Sequence, residues 1–180
     1  MAVRQLSLWL QPEQGAAAEL DAVIARLAVV HGTAVFPAHL TVLGAIEQEE
    51  QAAVADLERV AQRLDPLDVR FGETRCEAAW HRSLYLAAVP EPTLRQAFEV
   101  AVQAFDPPGR PAFEPHLSLQ YSQLPVADKV RLAATLSMEL PITVRFDRLS
   151  LWHTPGSDAG RWRLIADRQL AGGRSGRRPS

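Results

Sequence analysis

The sequence predicts an α+β fold of two pseudo-symmetric lobes, each a mainly antiparallel sheet with helices on its outer face, around a central cleft. Three observations lead there. One short string occurs twice: residues 36–43 read FPAHLTVL and residues 113–120 read FEPHLSLQ, so His39 and His116 stand 77 positions apart in matching surroundings. The surroundings repeat as well. LSLWLQP (6–12) precedes the first motif and SLYLAAVP (83–90) the second, with Trp9 placed 30 residues before His39 and Tyr85 placed 31 before His116. Self-similarity of this kind marks one supersecondary unit made twice. Finally, 180 residues that are 47% hydrophobic can bury one sizeable core. The chain is therefore read as a single bilobal domain over residues 1–170, with an internal repeat of about 5–75 and 82–167. The span between the copies, near residues 75–81, has too little Gly or Ser for a flexible linker.

The elements follow in order from local pattern. After the strand at Trp9, Leu20, Val23, Ile24, Leu27 and Val30 recur at helical spacing and define one apolar face. His31 closes that helix just before Gly32, where a cation suits the C-terminal carbonyls. The first motif strand follows, then a helix over about 48–64, then a strand opened by Val69-Arg-Phe. The second copy repeats this order. A strand at Tyr85 leads to a helix marked by Leu94, Phe98, Ala101, Val102 and Phe105, with Pro92 near its start. The second motif strand comes next, then a less periodic helix over about 126–139, then a strand opened by Val144-Arg-Phe.

Composition narrows the functional classes. A net charge of −2 and a pI near 6.2 argue against a surface that holds long nucleic acid by phosphate neutralisation. The basic tail GGRSGRRPS (172–180) is expected to be disordered and solvated. Cys76 is the only cysteine, which excludes an intramolecular disulfide and leaves no ligand set for zinc. Neither a signal-peptide pattern nor a membrane-length apolar run is present, so a soluble, cytoplasmic protein is expected. There is no Walker loop and no G-x-G-x-x-G turn.

The duplicated His-x-Thr/Ser carries the chemistry. Residues i and i+2 of a strand project from one face, so His39 with Thr41 and His116 with Ser118 can address one ligand. Imidazole titrates near neutrality, which lets one ring take a proton while the other gives one, and hydroxyls can donate to phosphate oxygens. A single strand histidine is more often structural; duplication is what separates His39 and His116 from His81 and His153, which have no repeated partner and are read as structural or rim residues. Among the aromatics, Trp9 could stack a nucleobase or pack in the core. Tyr121 lies, by strict alternation, on the face opposite His116 and Ser118, and reaches the cleft only if the chain bends after Gln120. Trp80, Trp152 and Trp162 are read as core or cleft-rim residues.

HLTV (39–42), HLSL (116–119), the Trp9 strand and the order of elements resemble the two-histidine phosphoesterase superfamily. Within it, HLSLQY (116–121), DRLSLW (147–152) and a closing strand at RWRLIAD (161–167) are most similar to the plant and yeast cyclic nucleotide phosphodiesterases. The resemblance spans about residues 3–170. It implies metal-independent, cofactor-free hydrolysis of small cyclic phosphodiesters, such as nucleoside 2′,3′-cyclic phosphates or ADP-ribose 1″,2″-cyclic phosphate, to a phosphomonoester. His39 and His116 would divide the roles of acid and base, with Thr41 and Ser118 on the phosphate oxygens. Trp9, Tyr121 and Arg82 match family positions at or near the substrate, although Arg82 is as readily a solvated residue. A monomer acting on a small nucleotide is expected. Two alternatives stand beside it: an RNA-end phosphodiesterase or 2′–5′ RNA ligase-like protein, and a non-enzymatic nucleotide-binding module.

Overall fold

A computed structural model describes residues 4–171 apart from Arg110 and Ser137; the basic tail lies outside the described residues. The strands are β1 (Arg4–Pro12), β2 (Leu40–Gln48), β3 (Leu67–Cys76), β4 (Leu84–Ala88), β5 (His116–Gln120), β6 (Ile142–His153) and β7 (Arg163–Gln169). The helices are α1 (Gln14–His31), α2 (Glu50–Arg63), α3 (Pro92–Phe105) and α4 (Val126–Thr135). The order strand, helix, strand, helix, strand thus occurs twice, with β7 appended.

All strand pairings are antiparallel, in the order β1-β2-β5-β4-β3-β6-β7, and a further β1–β6 pairing closes the first six strands on themselves. The register displays the internal symmetry. Val69 lies opposite Val144, with Asp68 opposite Arg145, so the two Val-Arg-Phe copies pair with each other. Leu40 lies opposite Leu117, which pairs the leucines that follow the two motif histidines. Equivalent residues facing one another in antiparallel strands are what a two-fold axis between them generates. Within each half the register also agrees: Trp9 faces Thr41 and Tyr85 faces Ser118. The third strands are exchanged, since β3 pairs with β4 and β6 pairs with β1.

Helix burial follows the apolar periodicity. α1 buries Leu20, Ile24, Leu27 and Ala28 against β1 and β5, and α3 buries Leu94, Ala97, Phe98, Ala101 and Phe105 against β2 and β3. Gly32 adopts the left-handed conformation (φ 62°) that ends α1 just after His31, as the sequence suggests. Two expectations need correction. Val30 is 68% exposed, because the packed stripe of α1 stops at Ala28 and the last turn carries Val30 into solvent. α4 ends at Thr135 rather than near 139: Leu136 turns extended, and Leu136, Met138 and Leu140 pack against the core from an irregular segment. No described helix is long and apolar enough to cross a membrane.

Candidate active site

Each motif histidine is anchored in the same way. His39 Nδ1 lies 2.7 Å from the Pro37 carbonyl, and His116 Nδ1 lies 2.8 Å from the Glu114 carbonyl, in both cases two residues upstream. A carbonyl only accepts, so Nδ1 carries the hydrogen and the neutral ring presents Nε2 as its free base. Asp21 of α1 steadies the first anchor by accepting from the Ala38 backbone N–H at 2.6 Å. Because Leu40 and Leu117 pair across the two-fold axis, the histidines just before them flank that axis from opposite strands.

The two environments differ. His39 is 3% exposed; burial pushes its pKa down to about 4, opposed by the Pro37 carbonyl and reinforced by His116. His116 is less deeply buried and is also pushed down to about 4, first by desolvation, then by Arg82 and His81, with Glu77 opposing. Each ring has an aromatic neighbour at the equivalent position of the adjacent strand. Trp9 stacks on His39 with centroids 3.6 Å apart and planes 13° apart, whereas Tyr85 meets His116 edge-on at 5.1 Å.

The structure sorts the remaining candidate residues. Thr41 faces a cavity of about 320 Å³ that Trp9, His39, Trp80, Tyr121 and Trp162 also line. Ser118 is buried and its hydroxyl donates to the His81 carbonyl at 3.1 Å. Tyr121 reaches the cleft because β5 ends at Gln120, which frees the next residue from strand alternation. Its hydroxyl lies 3.4 Å from His39 Nε2, and burial pushes its pKa up to about 12, with Ser118 opposing. Trp9 departs from the base-stacking expectation: His39 covers one side and Trp152 stacks on it at 4.7 Å, so a ring that is 2% exposed is left without a free face. Arg82 is not a solvated side chain. It pairs with Glu77 at 2.6 Å and with Glu114, and donates to the Tyr85 hydroxyl at 3.0 Å.

A second cavity, of about 610 Å³, adjoins His116 and is lined by Arg75, Arg82, Tyr85, Phe113 and Glu114. Between the two cavities stands the 3-10 turn Trp80–Arg82, with Trp80 and His81 facing the first and Arg82 the second. His81 and Glu77, both sensed by His116, are contributors that sequence reasoning misses, since neither belongs to the duplicated pattern. Among the described residues no three His, Cys, Asp or Glu side chains form a metal-ligand group.

Two imidazoles anchored alike beside a two-fold axis, each offering Nε2, with Thr41 on the cavity wall, form the arrangement that a two-histidine acid–base site requires. The profile of the 2′-5′ RNA ligase superfamily matches residues 8–158, and the chain belongs to that family of LigT-like two-histidine phosphoesterases. Solved structures agree in fold. Escherichia coli LigT in its apo form superposes with a TM-score of 0.61 at 16% identity, covering 94% of this chain and 99% of that one. The TT0787 protein of Thermus thermophilus gives 0.60 at 17% identity, covering 93% and 98%. E. coli LigT complexed with 3′-AMP gives 0.61 at 14% identity, covering 93% and 98%. No curated protein matches the chain significantly by sequence.

Proposed function

We propose that this protein opens small cyclic phosphodiesters, nucleoside 2′,3′-cyclic phosphates or ADP-ribose 1″,2″-cyclic phosphate, to phosphomonoesters by paired histidine catalysis without a metal. The observation that carries the reading is the matched pair of Nδ1-anchored imidazoles. One Nε2 takes a proton from water as the water oxygen attacks phosphorus. The other ring, protonated, gives its Nε2 hydrogen to the departing ribose oxygen as the ring P–O bond breaks, so one water is added overall. Thr41 donates to a phosphoryl oxygen, and Ser118 joins it on release from the His81 carbonyl. With burial and neighbouring charges holding both rings near 4, the negative charge of the arriving phosphate favours protonation of one of them. E. coli LigT has been crystallised with phosphate, ATP and 3′-AMP, which supports a nucleotide phosphate as ligand here.

The cavities on both sides of the turn favour a second reading, an RNA-end phosphodiesterase, because an RNA terminus carries a substituent on each side of the reacting phosphate. One experiment separates the two. With chelator present, the protein is incubated with 2′,3′-cyclic mononucleotides, ADP-ribose 1″,2″-cyclic phosphate and an oligonucleotide ending in a 2′,3′-cyclic phosphate, and products are identified by phosphorus NMR. Turnover of the small substrates supports the first reading, turnover of the oligonucleotide alone the second, and binding without product a non-enzymatic module.

A further inference from the structure

Every basic residue of the sequence apart from histidine is an arginine, with one exception, Lys129. That exception has no exposed surface and is the buried residue of α4. Its ammonium donates to the Glu77 carbonyl at 2.8 Å, joining α4 to the point where β3 gives way to the connection with β4. Withdrawing an ammonium from water is costly unless its donors are used, and a planar guanidinium cannot replace a compact three-donor head in a closed space.

Glu77 organises what lies above it. Its backbone N–H points to the carbonyls of Arg82 (3.1 Å) and Ser83 (3.4 Å), closing residues 77–83 into a loop. Its carboxylate accepts from the Tyr85 hydroxyl at 2.5 Å and pairs with Arg82. From the same loop the His81 carbonyl accepts from Ser118, and Arg82 pairs with Glu114, two residues before His116. Lys129 therefore stands under a loop that accepts from Ser118 and whose Glu77, His81 and Arg82 set the charge around His116.

We propose that Lys129 is a positioning residue: by holding Glu77 it fixes the 77–83 loop against His116 and Ser118. The proposal rests on the reading of His116 as one of the two working imidazoles. The charged and titratable groups around His116 are Glu77, His81 and Arg82 from the loop, Glu114 from its own segment, Tyr85 from β4, the paired Glu73 and Arg75 from β3 across the same cavity, and His39 from the first motif. Releasing the loop admits water and withdraws two basic groups against one carboxylate. The proton affinity of His116 then rises toward its ordinary value.

The test is NMR titration of the imidazoles in ¹⁵N-labelled wild-type protein and Lys129→Met, with His39→Gln used to assign the signals. His116 in Lys129→Met should titrate about one pH unit higher, roughly a tenfold gain in proton affinity, while His39, set mainly by its own burial, moves less. If Lys129→Met does not fold, Lys129→Leu, which likewise removes the donor to the Glu77 carbonyl, is judged by the same criterion. A folded variant of either kind whose His116 titrates as in the wild type, with only a lowered Tm, would show Lys129 to be structural and overturn the proposal. The readout needs no substrate, so failure of the wild type to turn over any cyclic phosphate would count against the proposed function and leave this result standing.

Discussion

Acidification should destabilise this fold through His39 in a way that can be isolated. The ring is 3% exposed, lies flat against Trp9 at 3.6 Å and meets the edge of Phe36 at 6.0 Å. Burial leaves it with a pKa of about 4 against the ordinary 6.5. At about 1.4 kcal/mol per tenfold change in proton affinity, that gap corresponds to about 3 kcal/mol. Above pH 6.5 the imidazole is neutral in both folded and unfolded chains, and the folded state keeps its full stability. As the pH falls from 6.5 to 4 the unfolded chain takes up the proton and the folded chain does not, so stability drains away; below 4 the folded state protonates as well and the loss stops. Urea unfolding of wild type and His39→Gln at steps between about pH 7 and pH 4 measures the effect, because carboxylates titrate in both proteins and cancel in the difference. His39→Gln should lose about 3 kcal/mol less than wild type across that window. Stability curves that run parallel within about 0.5 kcal/mol would refute the reasoning.

Kinetic predictions follow from the same geometry. His39→Ala and His116→Ala should each lower kcat at least about 100-fold, and retention of more than about a tenth of the wild-type rate by either would contradict an acid or base role. With both free imidazoles near 4, the pair carrying one proton is commonest on the acid side, so kcat/KM should fall about tenfold per pH unit between about pH 5 and 7. A profile flat through neutrality would be inconsistent with the two depressed pKa values. Thr41→Val should lower kcat/KM more than Ser118→Ala, since Thr41 faces the cavity while the Ser118 hydroxyl is engaged with the His81 carbonyl; steady-state rates that leave both variants at wild-type level would assign both hydroxyls to the scaffold. Trp9→Ala should cost about 3–5 kcal/mol of stability, the range for emptying a buried aromatic site. A Trp9→Ala protein with unchanged Tm and lost nucleotide affinity would return Trp9 to base stacking.

Much of the candidate site was legible because it is written twice. The repeat located both histidines, and the same offset that relates His39 to His116 relates Leu40 to Leu117, which pair in the sheet. Helix periodicity identified α1 and α3 because their buried stripes run at regular three- and four-residue spacing. What sequence could not supply is whatever depends on partners far along the chain. Trp9 reads alike as a stacking platform or as core until Trp152, brought alongside by the β1–β6 register, closes its second side. Tyr121 was ambiguous because strand alternation holds only inside a strand, and β5 stops one residue short of it. His81 lies in the connection between copies, where the repeat provides no second instance to compare.

The exchange of third strands orders events during synthesis. β1 and β2 can pair early, yet the other edge of β1 stays open until β6, beginning at Ile142, has been made, and one edge of β3 waits for the same strand. Such distant pairings slow folding and leave unpaired backbone exposed on the nascent chain. A chain stopped just before Ile142 would retain both histidines, both hydroxyls and all four helices, and still present two naked strand edges to its neighbours. For this protein the vulnerability to truncation lies not at the chemistry but at the strand that the first half borrows from the second.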